Sequence, residues 1–236
     1  ARFRGTQGSA VVGVFDLTLA MTGASEKVLR REGIHYAKSY NHAAHHAGYY
    51  PGAEDMTLKL LYTPDDGRLL GAQAVGKQGV DKRIDVLAMA IQKGATVYDL
   101  EEAELCYAPP YGSAKDPVNL AGFVAGNILR GDVDTVFWED LLQRRRQGEP
   151  LPMILDVRSA AMAADASVPD GVNIPMGELR ARLDELPRDR EIWVHCGIGQ
   201  TSYFATRMLR QNGFENVRNL SGGIRSYHML PVPSGE

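Results

Sequence analysis

The stretch Trp193–Ala205, WVHCGIGQTSYFA, places one of the chain's two cysteines where an apolar run ends and a glycine-bearing loop begins. A parallel strand followed by a helix leaves its connecting loop at the carboxyl edge of the sheet, where open α/β folds bind ligands. Gly197 and Gly199 let backbone N–H groups turn inward around an anion, and the next helix points its positive end at the same place. This environment favours a nucleophilic thiolate at Cys196. From the loop alone, a small buried cysteine beside a glycine turn is an equally good interpretation.

The residues around this stretch alternate predicted strands with predicted helices. The predicted strands are 153–158, 191–196 and 216–220, and the predicted helices are 137–147, 176–187 and 202–212. This alternation predicts a parallel sheet covered on both faces, which is an α/β domain. His195 precedes the cysteine and alternates with it along the strand, so its side chain is predicted to point away from Cys196.

The first half of the chain has a different, mixed pattern. Strands are predicted near 10–15, 57–62 and 69–75, and helices near 25–32, 80–93 and 119–129, while the run DLTLAMTG (16–23) is interpreted as helical. TPDDG (63–67) contains turn residues that predict an antiparallel hairpin. Helices beside an antiparallel sheet make an α+β domain. The charged stretch that begins at Arg130 predicts a boundary near Gly131, which gives domains 1–130 and 131–236.

Composition restricts the possible partners of this chain of 236 residues. A formal net charge of −3 gives no basic excess for binding nucleic acid or an anionic membrane. No apolar run reaches the roughly 20 residues of a membrane span, and two cysteines 90 positions apart are expected to be free thiols in a reducing cytoplasm. The chain begins without an initiator methionine and enters directly on a strand-like run, which suggests a part of a longer protein.

Four motifs in the second half resemble a rhodanese domain over about Gly131 to Leu230: ILDVR (154–158), VPDGVNIPMGEL (168–179), WVHCGIGQTS (193–202) and VRNLSGGIRSY (217–227). The resemblance implies that Cys196 takes up sulfane sulfur as a persulfide and hands it to a thiophilic acceptor. It also implies that Asp156 and Arg158 hold the underside of the loop by ion pairing. The N–H cradle would come from Gly197, Ile198, Gly199, Gln200, Thr201 and Ser202.

Thr201 departs from the family pattern, since members often carry an arginine there. A guanidinium would clamp an anionic donor such as thiosulfate with a fork of hydrogen-bond donors that threonine lacks. The approach to the third motif, ASVPDGV (166–172), is also degraded. We therefore expect weak activity on thiosulfate and a persulfide donor of another kind.

Five segments of the first half resemble the C-terminal dimerisation domain of the pyridine nucleotide-disulfide oxidoreductases, and among them the coenzyme A-disulfide reductases and their NADH oxidase and polysulfide reductase relatives. The segments are GTQGSAVVGVFDLTLAMTG (5–23), HAGYYPGA (46–53), LLGAQAVG (69–76), DKRIDVLAMAI (81–91) and ELCYAPPYGSAKDPVNLAG (104–122). The resemblance implies a homodimer in which this domain completes the partner's flavin and coenzyme A site. It also implies that Tyr49 or Tyr50, together with Tyr107, serves disulfide reduction.

The histidines, the cysteine and the proline-flanked tyrosines of the first half can also be interpreted without a chemical role. His42, His45 and His46 have a spacing compatible with a metal site, since positions i and i+4 share a helix face, but no carboxylate or cysteine stands at a clear spacing, so no metal is assigned. Cys106 lacks a glycine cradle and is interpreted as a packing residue. The tyrosines beside prolines fit either an interface or half-buried packing.

Together these features predict the C-terminal half of a flavin-dependent coenzyme A-disulfide, persulfide or polysulfide reductase, with Cys196 as the sulfur carrier. The family implies FAD, NAD(P)H and coenzyme A, yet no GxGxxG fingerprint is present, so this chain alone holds no complete site for them. The expected substrates are coenzyme A persulfide or disulfide, polysulfide and thiosulfate. The alternative is a non-catalytic dimerisation fragment that carries an inactive rhodanese-like binding module.

Overall fold

Two sheets of different topology organise the chain, and the boundary between their two units falls between Leu129 and Arg130. The computed structural model describes residues 5–230. None of the helices in this range is long and apolar enough to cross a membrane.

The first unit contains a five-stranded antiparallel sheet and four helices. The strands are β1 (Ala10–Val14), β2 (Leu17–Gly23), β3 (Ala37–Ala44), β4 (Asp55–Tyr62) and β5 (Leu69–Gly76), and the helices are α1 (Glu26–Arg31), α2 (Val80–Gln92), α3 (Val97–Glu102) and α4 (Pro117–Leu129). The strand order is β1-β2-β5-β4-β3, with antiparallel pairing throughout. Alternate residues of β4, including Met56, Leu58 and Leu60, are buried in one core with residues of α2 and α4.

Two strand assignments in the first unit differ from the sequence prediction. The run interpreted as helical is β2, because Leu17–Gly23 pairs with β1 on one side and with β5 on the other. Leucine, alanine and methionine favour helices locally, but a position between two strands overrides that preference. The strand β3 was not predicted, since the sequence of Ala37–Ala44 is largely polar. The predicted hairpin at 63–67 is confirmed by the antiparallel pairing of β4 with β5.

The second unit contains a five-stranded parallel sheet with helices on both faces. The strands are β6 (Thr135–Val136), β7 (Met153–Asp156), β8 (Val172–Asn173), β9 (Ile192–His195) and β10 (Val217–Leu220), and the helices are α5 (Trp138–Gln147), α6 (Ala160–Asp165), α7 (Met176–Leu179), α8 (Gln200–Gln211) and α9 (Gly223–Tyr227). The order β6-β10-β9-β7-β8 is parallel at every pair. The predicted α+β domain followed by an α/β domain is thus confirmed.

Two apolar cores lie on the two sides of the parallel sheet. Ile192 and Val194 of β9 belong to one core, and Trp193 between them belongs to the other, as the alternation of a strand requires. The helix predicted over 176–187 is shorter than expected. It is α7 followed by a 3-10 helix at Arg180–Glu185, with non-helical dihedral angles at Arg182.

Candidate active site

Cys196 is the first residue after β9 and lies at the carboxyl edge of the parallel sheet. Its side chain belongs to the same core as Val194 and is only 3% exposed. His195 points to the opposite side, where its ring lies edge-on to Trp138 at 5.4 Å. The predicted orientation of His195 is therefore confirmed. Strand β9 thus presents a buried thiol on one face and a buried imidazole on the other.

The sulfur of Cys196 is directed at two hydrogen-bond donors. The backbone N–H of Gly199 donates to Sγ at 3.2 Å, and the hydroxyl of Ser202 lies 3.5 Å from it. The same hydroxyl is 3.1 Å from the carbonyl oxygen of Gly199, so its single proton is shared between these two acceptors. A negative charge on the sulfur would attract that proton, because charge-assisted hydrogen bonds are the stronger ones.

The turn around the sulfur depends on two glycine-bearing segments. Gly199 has φ +100°, a conformation that side chains disfavour, and α8 begins directly after it. Gly223 approaches so closely that a Cβ there would lie 2.5 Å from the carbonyl oxygen of Cys196. The first amides of α9 donate to the loop, from Ile224 to Cys196 at 2.8 Å and from Arg225 to Gly197 at 3.1 Å. The motif SGG (221–223) therefore lets the start of α9 approach the cysteine loop and hold it through backbone hydrogen bonds. This role could not be predicted from the motif itself, because it depends on backbone contacts with a loop more than 20 positions away.

The six predicted loop residues have three different surroundings. Gly199 and Ser202 contact the sulfur, whereas the side chains of Ile198, Gln200 and Thr201 are exposed. Gly197 is half-buried, and its carbonyl oxygen accepts from the N–H of Arg225. Thr201 stands in the first turn of α8. A side chain at this position faces solvent beside the cradle.

Asp156 and Arg158 form a buried ion pair. Nη2 of Arg158 donates to Oδ2 of Asp156 at 2.6 Å, and Nε donates to both carboxylate oxygens at 3.0 Å. Arg158 also donates to the carbonyl oxygen of Ala166. Asp156 pairs with His195 across β7 and β9, and its Oδ2 lies 3.8 Å from Nε2 of that imidazole. The ion pair contacts the residue before Cys196 on the face opposite to the thiol.

Two of the predicted tyrosines meet in the first unit. The hydroxyls of Tyr49 and Tyr107 lie 3.2 Å apart, and both side chains are exposed, Tyr49 by 77% and Tyr107 by 49%. The hydrogen bond to Tyr107 raises the pKa of Tyr49. Tyr50 instead packs edge-on against His46, with ring centroids 5.7 Å apart. The structure therefore joins Tyr49, rather than its neighbour, to the second tyrosine loop.

The premise of a histidine cluster on a helix face is wrong. His42 lies in β3 and bonds to Thr57 through Nδ1, and Nδ1 of His45 bonds to the backbone of Glu54. Within residues 5–230, no group of three or more His, Cys, Asp or Glu side chains is arranged to hold a metal ion.

The interpretation of Cys106 as a packing residue is also wrong, because its side chain is exposed. The segment 103–107 lies between α3 and α4 outside regular structure, so its thiol is not directed into the core of this unit.

Comparison with known protein families identifies both units. Residues 9–116 match the dimerisation domain of the pyridine nucleotide-disulphide oxidoreductases, and residues 138–230 match the rhodanese-like domain. The chain therefore contains a segment that matches the dimerisation domain of this family, followed by a segment that matches the rhodanese-like domain.

The chain is similar in sequence to coenzyme A disulfide reductases. It is 46% identical over 123 residues to the coenzyme A disulfide reductase of Staphylococcus epidermidis, a match that covers 52% of this chain and 28% of that protein. The structure of reduced Bacillus anthracis CoADR-RHD is 45% identical, with a TM-score of 0.90 over 95% of this chain and 40% of that one. The NAD-dependent persulfide reductase from A. fulgidus is 39% identical, with a TM-score of 0.85 over 96% and 40%. The chain thus spans less than half the length of these relatives.

The family implies FAD and NAD(P)H, and both are dinucleotides. The 236 residues contain no GxGxxG sequence, and the sheet with α/β topology carries the cysteine loop at the edge where a dinucleotide would bind. The residues of this chain by themselves therefore do not fit a dinucleotide.

Proposed function

We propose that Cys196 carries sulfane sulfur as a persulfide within a coenzyme A-disulfide or persulfide reductase. The observation that supports this proposal most directly is the position of the Cys196 sulfur. It lies at the end of β9, with the N–H of Gly199 at 3.2 Å and the hydroxyl of Ser202 at 3.5 Å. A cysteine with only a packing role needs no donors directed at its sulfur. Residues 131–236 form the sulfur-carrying domain in this proposal, and residues 1–130 form the dimerisation domain.

In the transfer step, the thiolate of Cys196 attacks the outer sulfur of a donor R–S–S⁻. A new S–S bond forms between Sγ of Cys196 and that outer sulfur as the S–S bond of the donor breaks, and R–S⁻ leaves with the electron pair of the broken bond. Charge and sulfur are balanced without an external oxidant. The role of the loop is to hold the negative terminal sulfur, for which Gly199 and Ser202 supply donors and the N-terminus of α8 supplies a favourable dipole.

The first domain contributes Tyr49 and Tyr107 to disulfide reduction in the whole protein. A phenol can donate a proton to the thiolate that leaves a disulfide or persulfide. The contact between the two hydroxyls supports Tyr49 as the member of the adjacent pair that takes part. The whole protein would use FAD and NAD(P)H, act on coenzyme A persulfide or disulfide, polysulfide or thiosulfate, and work as a cytoplasmic homodimer.

The test is to expose the purified chain to coenzyme A persulfide, polysulfide and thiosulfate and to measure sulfur on each cysteine by peptide mass spectrometry. We expect one added sulfur on Cys196 with at least one donor, loss of that sulfur in Cys196→Ser, and retention of it in Cys106→Ser. Sulfur that persists in Cys196→Ser would assign the chemistry to the exposed Cys106. No added sulfur with any of the three donors would favour the alternative, an inactive rhodanese-like binding module.

A further inference from the structure

A pocket of about 260 Å³ lies in the second unit at the carboxyl edge of the parallel sheet. His195 lines it, so the pocket is on the face of β9 opposite to the thiol of Cys196. The sulfur-transfer mechanism uses none of its lining residues as a reacting group. A ligand of this pocket would therefore be distinct from the sulfur donor of the proposed function.

Small side chains on α6 create the space. Ala160, Ala163 and Ala164 all line the pocket, and their i, i+3, i+4 spacing places them on one face of the helix. A helix that packs on a sheet normally fills this position with larger apolar side chains. The alanine face instead leaves an apolar wall with room beside it.

The opposite wall is a row of polar side chains on three adjacent strands. Asn173 of β8, Asp156 of β7 and His195 of β9 are neighbours in the sheet register, and all three line the pocket. Nδ2 of Asn173 donates to the carbonyl oxygens of Asp156 and Arg158, at 2.9 Å and 3.0 Å, so the side chain keeps only its oxygen, an acceptor. The carboxylate of Asp156 is neutralised by Arg158.

The imidazole of His195 is fully buried, and its Nε2 has no hydrogen-bond partner in the part of the chain that the structure describes. Nδ1 lies 3.4 Å from the carbonyl oxygen of Cys196, which can only accept, so Nδ1 carries the proton. Burial lowers the pKa of His195. The ring is therefore neutral, and Nε2 carries a free lone pair. Oδ2 of Asp156, which lies 3.8 Å from Nε2, is another acceptor. The row therefore offers acceptors and lacks a donor, while the hydroxyl of Ser167, which also lines the pocket, belongs to an exposed residue.

We propose that this pocket binds a small uncharged molecule with an apolar body and one hydroxyl or N–H group, which donates to Nε2 of His195. The ligand is uncharged because the Asp156–Arg158 pair is already neutral and offers an ion no counter-charge for the hydration that it loses against the polar row. Its apolar body faces the alanines of α6. A volume of about 150 Å³ is enough for benzene, so 260 Å³ accommodates a six-membered ring with a substituent.

Phenol and anisole are a matched pair of probes, because anisole keeps the ring and the oxygen of phenol but has no proton to donate. The chain contains six histidines, so ¹³C labelling of the imidazole carbons gives a small set of signals. We expect phenol to shift the His195 signal saturably and to bind roughly tenfold more tightly than anisole, the value of about one hydrogen bond. Equal affinities would mean that Nε2 accepts no hydrogen bond from the ligand, and the absence of a saturable shift with either probe would mean that water alone fills the pocket. Either result would overturn the proposal.

Two variants locate the binding without changing the imidazole. Ala163→Leu places a larger side chain in the pocket and should abolish phenol binding, as measured by ligand-observed saturation-transfer NMR. Ala161→Leu makes the same change on an exposed position of α6 outside the pocket lining and should leave phenol binding unchanged. Phenol affinity that is unaffected by Ala163→Leu places the binding elsewhere and contradicts the proposal.

Discussion

At the scale of single residues, Cys196 could be placed from the sequence because its surroundings are local. The glycines, the strand exit and the start of α8 all lie within a few positions of it. The choice between Tyr49 and Tyr50 could not be made in this way. It depends on a contact with Tyr107, 58 positions further along the chain, and on the packing of Tyr50 against His46. The exposure of Cys106 likewise follows from the path of its loop and not from its neighbours in sequence.

Thr201 is the position at which we expect a substitution to change specificity for the sulfur donor. Its side chain is exposed in the first turn of α8, beside the loop that holds Sγ. We expect Thr201→Arg to raise thiosulfate turnover about tenfold, because a guanidinium donates a planar fork of hydrogen bonds to an oxyanion. Thr201→Lys adds the same charge without the fork and should raise the rate less. An unchanged or lower rate in Thr201→Arg would show that the loop is shaped for another donor.

His195 makes the stability of the second unit depend on pH. Burial lowers its pKa below 6.5, although the charge of Asp156 acts in the opposite direction. The unfolded chain therefore binds this proton at a higher pH than the folded one does. The stabilising effect of the neutral ring is complete above about pH 6.5 and is lost as the pH falls through the range below it, by up to about 1.4 kcal/mol per pH unit.

Chemical denaturation at a series of pH values measures this effect. We expect His195→Phe to remove the decrease in unfolding free energy that begins near pH 6.5, and we expect His228→Gln, a change at an exposed histidine, to leave it in place. A decrease near pH 6.5 that persists in His195→Phe would contradict the assignment.

Glu26 of the first unit affects stability in a different pH range. Burial alone would raise its pKa, but hydrogen bonds from Lys59 and Tyr36 and the charge of Lys38 lower the pKa to about 2. The contribution of Glu26 to the unfolding free energy is therefore lost only below about pH 4.5.

At the scale of secondary structure, long periodic elements could be predicted and context-dependent ones could not. The apolar stripe of α2 and the alternation in β4 match the cores that they enter. The strand β2 was missed because its residue types favour helices, and only its two partner strands determine its conformation. The strand β3 contains the buried polar residues Asn41 and His42, so its sequence lacks the apolar alternation that would have predicted a strand.

The contact between α3 and α4 depends on a glycine. A Cβ added at Gly122 would lie 2.6 Å from the backbone nitrogen of Glu101 and 2.8 Å from the carbonyl oxygen of Val97, atoms that cannot rotate away. We expect Gly122→Ala to lower the unfolding free energy of the first unit by about 2 kcal/mol, because the overpacking exceeds the helix propensity that alanine adds. Denaturant titration measures the change. Gly13→Ala, where the new Cβ meets nothing within 4 Å, should have little effect. A more stable Gly122→Ala would mean that the two helices separate at little cost.

At the scale of the whole molecule, the first unit leaves apolar and tyrosine-rich surfaces uncovered. Val11, Val12 and Phe15 are exposed on the hairpin of β1 and β2, and β1 is an edge strand of its sheet. Tyr49 and Tyr111 are exposed on the two loops that the sequence assigned to the dimer. Surfaces of this kind are characteristic of protein interfaces, and an open edge strand is a site for pairing.

We therefore expect the chain to be a homodimer in solution, as a dimerisation domain of this family implies. A closed two-fold arrangement would place the same surface of both copies about one axis, which is the commonest symmetry of soluble oligomers. Light scattering at micromolar concentration should give twice the 25.8 kDa of one chain. Tyr111→Lys adds a charge to a tyrosine loop and should shift the mass toward the monomer, whereas Val28→Lys, an equivalent change on α1, should not. A wild-type mass of one chain would contradict the dimer, and with it the proposal that Tyr49 and Tyr107 serve a neighbouring subunit without further domains.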